Sequence, residues 1–125
     1  MRILLDTHIY IWALAGDRRL KKHARKLILD AETVFVSVAS LWEAAIKVSL
    51  GKLDADVELL ASNIEPSGFL ERPIGARHAV QTRLLPLIHR DPFDRMLVAQ
   101  AICEPLRLVT VDADLARYTN LVIKV

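Results

Sequence analysis

The chain of 125 residues contains one cysteine, Cys103, so no internal disulfide can form and a reducing cytoplasm is the expected setting. On an apolar stretch that thiol reads as a small buried hydrophobe. No apolar run approaches the roughly 20 residues needed to span a bilayer, so no membrane contact is expected. Asp6 and His8 interrupt the opening "MRILLDTHIYIWALAG", which therefore does not read as a secretory leader. Glycine-rich phosphate loops, GxSxG turns and paired-cysteine motifs are all missing, which removes dinucleotide, P-loop, serine-hydrolase and dithiol chemistry. His8, His23, His78 and His89 lack metal-ligand spacing among themselves. A net charge of +2 is compatible with a polyanionic partner without arguing for one. Repeats, low-complexity tracts and linkers are absent too, so one domain over residues 1–125 is expected.

What remains is an alternation of short apolar runs and helical patterns. "RILLD" (2–6), "TVFVS" (33–37), "FLERPI" (69–74), "RLVTV" (107–111) and "LVIKV" (121–125) read as strands. Helices are predicted over about 7–15, across "RRLKKHARKLILDA", over 37–50, about 55–64 and 76–84, and about 92–103, with a short one in "DADLARY". Gly16 and Gly51 stop the first and third of these. Strands alternating with helices predict an α/β sandwich with a mostly parallel sheet and helices on both faces. In such sheets functional groups collect beyond the carboxyl ends of the strands.

Four acids fall at such places. Asp6 ends the first strand, Glu43 follows the second by about two turns, Asp94 opens the helix at 92–103, and Asp112 follows the strand at 107–111. Singly, each has a structural explanation. Asp6 and Asp112 suit helix caps, Asp114 suits a first helical turn, and Ser40 and Glu43 have capping-box spacing, with Lys47 placed for an i,i+4 pair. In "HRDPFDRMLVAQA", Asp91 before Pro92 reads as the N-cap. Asp94 is harder to explain away, because its helix is apolar on almost every side and a carboxylate there needs a partner. Jointly, the four acids would converge at one edge of a parallel sheet. Crowded carboxylates either take up protons or share a multivalent cation. With only hard oxygen ligands, that cation would be Mg²⁺ or Mn²⁺, and the chemistry metal-assisted phosphodiester hydrolysis.

"RILLDTH", "SLWEAAIK", "HRDPFDRMLVAQA" and "LVTVDADL", in that order, resemble the motifs of PIN-domain ribonucleases, and more narrowly the VapC-type toxins of bacterial type II toxin–antitoxin modules. The resemblance spans nearly the whole chain and implies a PIN-like three-layer α/β/α sandwich. It implies Mg²⁺- or Mn²⁺-dependent endoribonuclease activity, with Asp6, Glu43, Asp94 and Asp112 as the catalytic and metal-holding acids. Asp91 is familiar in this branch without aligning to a ligand. Thr7 and Thr110 fall on small-hydroxyl positions that support the site, and Arg95 would contact phosphate or pair with a carboxylate. A homodimer and a cognate antitoxin covering the acidic pocket are also implied. Many members carry "DTN" or "DTS" where this chain has Asp6-Thr7-His8; histidine there is common in the "DPFDR" branch.

His8 and His89 flank acidic motifs and could touch substrate, although a surface or packing role is the stronger reading. Arg18, Arg19 and Lys22, with Lys21, Arg25 and Lys26, would guide RNA toward the pocket or form the solvated face of a helix. Trp12 and Trp42 read as core or dimer contacts before base-stacking platforms. Two rival functions stay open. A non-catalytic PIN-like domain binding RNA or protein would have no use for mutually repelling acids. A Mg²⁺ phosphatase of the haloacid-dehalogenase type wants a second aspartate that "DTHIY" lacks.

Overall fold

The computed structural model describes residues 1–125. Its strands are β1 (Arg2–Leu5), β2 (Thr33–Ser37), β3 (Leu70–Arg72), β4 (Arg107–Thr110) and β5 (Val122–Lys124). All are paired in parallel, in the order β3-β2-β1-β4-β5, so the sheet goes beyond the mostly parallel expectation. The inner strands read as near-continuous apolar runs because both of their faces are covered. In β1, Ile3 and Leu5 enter a core with Ile9, Tyr10, Ala24 and Leu60, while Leu4 enters a second core with Leu97, Val98 and Ala101.

The covering helices are α1 (Thr7–Ala15), α2 (Lys22–Asp30), α3 (Val38–Ser49), α4 (Val57–Ser62), α5 (Ala76–Gln81) and α6 (Pro92–Cys103). Residues of α1, α2 and α4 fill the first core, and α6 fills most of the helical side of the second. This is the three-layer α/β/α arrangement expected. "DADLARY" and the end of the 76–84 segment tighten into single 3₁₀ turns, Leu115–Arg117 and Thr82–Leu84.

The chain runs from β1 outward to β2 and β3, then returns to the other side of β1 with β4 and β5. The topological switch therefore falls between β1 and β4, and in open parallel sheets a crevice forms beyond the carboxyl ends of the strands at that point. Asp6 extends this junction, its N–H donating to the Val109 carbonyl at 2.9 Å.

Three expectations are corrected. Ser40 and Glu43 do not form a capping box, because Ser37 at the end of β2 caps α3 three residues earlier, accepting from the Ala39 N–H at 3.0 Å. Cys103 is half-buried at the end of α6, not enclosed, with its Sγ 3.8 Å from the Arg77 carbonyl oxygen. Arg95 turns away from the acids. Its Nη1 donates to the carbonyls of Pro86 (2.9 Å) and His89 (3.4 Å), and its Nη2 to those of Thr82 (3.0 Å) and Leu85 (3.3 Å).

Arg95 thus ties the irregular 82–89 segment to α6 through four main-chain oxygens. Hydrogen bonds from charged donors are worth about 1.5–3 kcal/mol, and only a planar fork reaches two pairs of acceptors at once. Arg95→Ala should lower the unfolding free energy by about 2 kcal/mol, and Arg95→Lys should recover less than half of that. Urea denaturation followed by circular dichroism checks both.

Candidate active site

Beyond the carboxyl ends of β1 and β4 lies an open cavity of about 420 Å³, lined by Asp6, His8, Trp12, Arg19, Glu43, Lys47, Asp91, Asp94, Val111 and Asp112. The four acids singled out in the sequence all face it. So does Asp91, which reads from the sequence only as a cap.

Each acid is delivered by a different local device. Asp6 leaves β1 with extended backbone and begins α1; its Oδ1 accepts from the Thr7 N–H at 2.7 Å. The Thr110 hydroxyl, at the end of the neighbouring β4, donates to Asp6 Oδ2 at 2.5 Å. The same hydroxyl accepts from the Asp112 N–H at 3.0 Å, which ties the turn after β4 to the end of β1. Asp112 Oδ1 accepts from the Asp114 N–H at 2.9 Å, an Asx turn in place of the expected helix cap, and its Oδ2 lies 3.0 Å from Nε2 of His89.

Glu43 arrives from α3 and is almost fully buried. Its Oε1 accepts from the Thr7 hydroxyl at 2.7 Å and its Oε2 from the Lys47 ammonium at 2.6 Å, the i,i+4 pair expected. Ser40 Oγ lies 2.9 Å from the Thr7 hydroxyl. Thr7 and Thr110 therefore sit behind the acids and hold their oxygens; neither lines the cavity.

Asp91 caps α6, its Oδ1 accepting from the N–H groups of Phe93 (2.8 Å) and Asp94 (3.2 Å), and Pro92 occupies the first helical position. The cap aims Asp94 into the cavity. Unlike its neighbours, the Asp94 carboxylate receives no hydrogen bond from the protein, although it is half-buried.

The electrostatics follow from this crowding. Burial pushes the Asp94 carboxyl up to about 7, with the charges of Asp6, Asp91 and Glu43 adding to the effect and His89 opposing it. Asp6 is also raised above the usual carboxylate range, chiefly by burial, against the bonds from Thr110 and Thr7. Two cations reach the cavity, and both are engaged: Lys47 by Glu43, Arg19 by Asp17 (2.8 Å). Five carboxylates, one without a donor, form an oxygen-rich set whose chemistry suits a hard divalent cation. His89, Asp112 and Asp114 each bring a ligand atom within 4.8 Å of the others, so this grouping shares Asp112 with the cavity.

The remaining sequence candidates spread around the rim. His8 lies on the cavity wall against Trp12, ring centroids 5.9 Å apart. Arg18 and Lys22 are exposed and free of ion pairs. Arg25 folds back onto the carbonyls of Asp17 and Leu20, and Lys26 pairs with Asp30 at 2.8 Å. Trp42 is exposed and meets Phe93 in a T-shaped contact, outside the acidic cavity. Sequence reasoning missed that Asp91 and Trp12 line the wall; the i,i+3 spacing of Asp91 and Asp94 was the available signal for the first.

The family model for the PIN domain matches residues 3–121. Ribonuclease VapC22 of Mycobacterium tuberculosis is 28% identical over 121 residues, covering 94% of this chain and 92% of that protein. In structure, the chain is similar to VapBC2 from Rickettsia felis, solved bound to a DNA fragment from their promoter, with TM-score 0.70, 21% identity, and 99% and 98% of the two chains covered. A toxin–antitoxin complex from Klebsiella pneumoniae gives TM-score 0.68 and 17% identity, covering 98% and 96%. No helix is long and apolar enough to cross a membrane.

The raised Asp94 makes metal-free stability depend on pH. Its folded-state value, about 7, lies above the ordinary 3.8, so the protonated fold holds its advantage in acid and loses it as pH rises from about 4 to about 7. Asp94→Asn abolishes that titration. In EDTA it should melt above the parent, with a gap that widens from about pH 5 to about pH 8. Solvent screening of a half-exposed carboxyl holds the gain to on the order of 1 kcal/mol, a rise of about 4 °C. Calorimetry at several pH values checks the trend.

Proposed function

The chain belongs to the PIN domain family, and we propose that it is a metal-dependent endoribonuclease serving as the toxin of a toxin–antitoxin module. The observation that carries this reading is the Asp94 carboxylate, half-buried among four other acids with no donor of its own. A scaffold gains nothing from such a group, because an unpaired buried carboxylate costs stability. A cation-binding hydrolase needs it.

Asp6, Asp94 and Asp112 would hold Mg²⁺ or Mn²⁺, with Glu43, both of whose oxygens are already engaged, as the fourth acid of the set. When bound, the ion supplies water activation and stabilises charge on the phosphate. The chain's own work is positional. Thr110 fixes the rotamer of Asp6 and Thr7 fixes that of Glu43, while Lys47 offsets the Glu43 charge. His89 orients Asp112, and Asp91 fixes the start of α6 and hence the direction of Asp94. Hydrogen-bonding partners that lock ligands in this way sharpen a metal site.

RNA as substrate is supported by the relative named as a ribonuclease. An antitoxin partner is supported by the toxin–antitoxin complex that the chain resembles in fold. A homodimer, an arrangement of residues 1–125 as one domain and a cytoplasmic setting complete the proposal.

Purified protein should cut single-stranded RNA with Mn²⁺ or Mg²⁺ and stop in EDTA. Partners that merely orient a metal ligand are worth about 10–100-fold, so Asp6→Ala and Asp94→Asn should each lose more than about a hundredfold while staying folded. Asp91→Asn should retain most activity, since asparagine caps as well as aspartate. Full cleavage by Asp94→Asn would overturn the metal assignment, and a dead Asp91→Asn would move Asp91 from cap to ligand. Gel assays of cleavage, with circular dichroism for the fold, decide both.

A further inference from the structure

One wall of the acidic cavity is chemically unlike the rest. Among its ten lining residues only Trp12 and Val111 are hydrophobic, and Arg19 lies beside Trp12 with its guanidinium carbon 5.1 Å from the ring centroid. We propose that Trp12 and Arg19 form a shelf on which a nucleobase of a single-stranded RNA stacks next to the acids, Arg19 acting through its planar face and not as a steering charge. The proposal rests on the reading of the chain as a ribonuclease and names how its substrate is gripped.

The shelf is built by the end of α1. Gly16 takes a left-handed conformation (φ 64°), open to glycine at no steric cost, and the Asp17 N–H closes back on the Trp12 carbonyl at 3.0 Å. This reversal brings the following residues over the indole. Asp17 then clamps Arg19 with four bonds: Oδ1 accepts from the Arg19 main-chain N–H (2.9 Å) and from Nε (3.2 Å), and Oδ2 accepts from Nε (3.3 Å) and Nη2 (2.8 Å). Nη1 carries no protein partner. The side chain is about two-thirds exposed, yet its plane is set before any ligand arrives.

That clamp separates two possible roles. As a steering charge Arg19 is weak, because Asp17 offsets it and five carboxylates face it across the cavity. As a plane it is strong, since a side chain already held in place loses little freedom on binding. Guanidinium and indole planes are the surfaces on which unpaired RNA bases stack, and stacking tolerates any base. One turn earlier, His8 continues the series, its ring tilted 52° to that of Trp12. Trp42, the other indole, has its ring edge-to-face with Phe93 at 5.0 Å and lies outside this cavity.

Binding in EDTA, where a metal-dependent nuclease does not cut, isolates the shelf from the chemistry. A labelled single-stranded oligoribonucleotide and an abasic one of equal length and charge are titrated against the parent, Arg19→Lys and Arg19→Ala by fluorescence anisotropy. One stacked base is worth about 5- to 100-fold in affinity, so the parent should prefer the base-bearing strand by that margin. Arg19→Lys, which keeps the charge and loses the plane, should lose most of the margin, as should Arg19→Ala. A margin fully kept by Arg19→Lys would overturn the proposal, because the guanidinium plane would then carry none of it. No margin in the parent would overturn it too, leaving this wall to a protein partner. As a second measurement, 5-iodouridine crosslinking on the parent should label His8 or Trp12; label confined to Trp42 and Phe93 would also overturn it. Metal-supported cleavage of the same oligonucleotide is scored separately, so failure of the ribonuclease reading is told apart from failure of the shelf.

Discussion

Mutual repulsion among carboxylates at one sheet edge is the constraint around which the molecule is arranged. Asp6, Glu43, Asp91, Asp94 and Asp112 share one cavity, and the two cations that reach it are already engaged. Such a group persists only where the fold fixes every backbone that carries it. The parallel sheet does this by ending β1 and β4 side by side at the switch point, and α6 starts against the same edge. Donors are then distributed so that four of the acids are held by N–H, O–H or ammonium groups. The fifth, Asp94, receives none of these. Burial and neighbouring charge raise its proton affinity, and a dication would compete for that same position.

Much of this was legible because the local signals agree with the global fold. "RILL" and "TVFV" lie on inner strands whose two faces are both covered, so apolar runs without polar alternation were enough to find them. Asp91-Pro92 gave the start of α6 to the residue, because an N-cap and a proline at the first helical position are rules of backbone hydrogen bonding and need no tertiary information. The convergence of Asp6, Glu43, Asp94 and Asp112 on one edge was expected once the sheet is taken as parallel, and all four line the one cavity.

What stayed hidden depended on where flexible side chains turn. Arg95 adjoins Asp94 in the chain, yet consecutive helical residues point about 100° apart. While Asp94 enters the cavity, Arg95 swings back to the carbonyls of the 82–89 segment. Ser40 and Glu43 had the spacing of a capping box, but the spacing was claimed by a different need. Once Ser37 caps α3, both residues lie inside the helix and turn to the hydroxyl of Thr7 in α1. Thr7 and Thr110 illustrate the same limit: sequence placed them near the acids, and only the packing of α1, α3 and β4 decides that they face the acids from behind.

The basic segment shows why counting charges misjudges a surface. Residues 18–26 supply six cations, and in sequence they look like one electrostatic guide. In the fold they separate into three kinds. Arg18, Lys21 and Lys22 are exposed, Arg25 and Lys26 satisfy nearby carbonyl and carboxylate groups, and Arg19 is fixed on Trp12 by Asp17. The single glycine at position 16 decides that last fate, because the left-handed turn it allows folds Asp17 and Arg19 back over α1. A charge clamped by its own neighbour adds little to the long-range field, but it becomes a rigid planar surface at the edge of a site that repels anions. On the proposed ribonuclease reading, the acidic cavity has to hold an anionic strand without filling itself with competing cations, and contacts through the faces of bases meet that requirement.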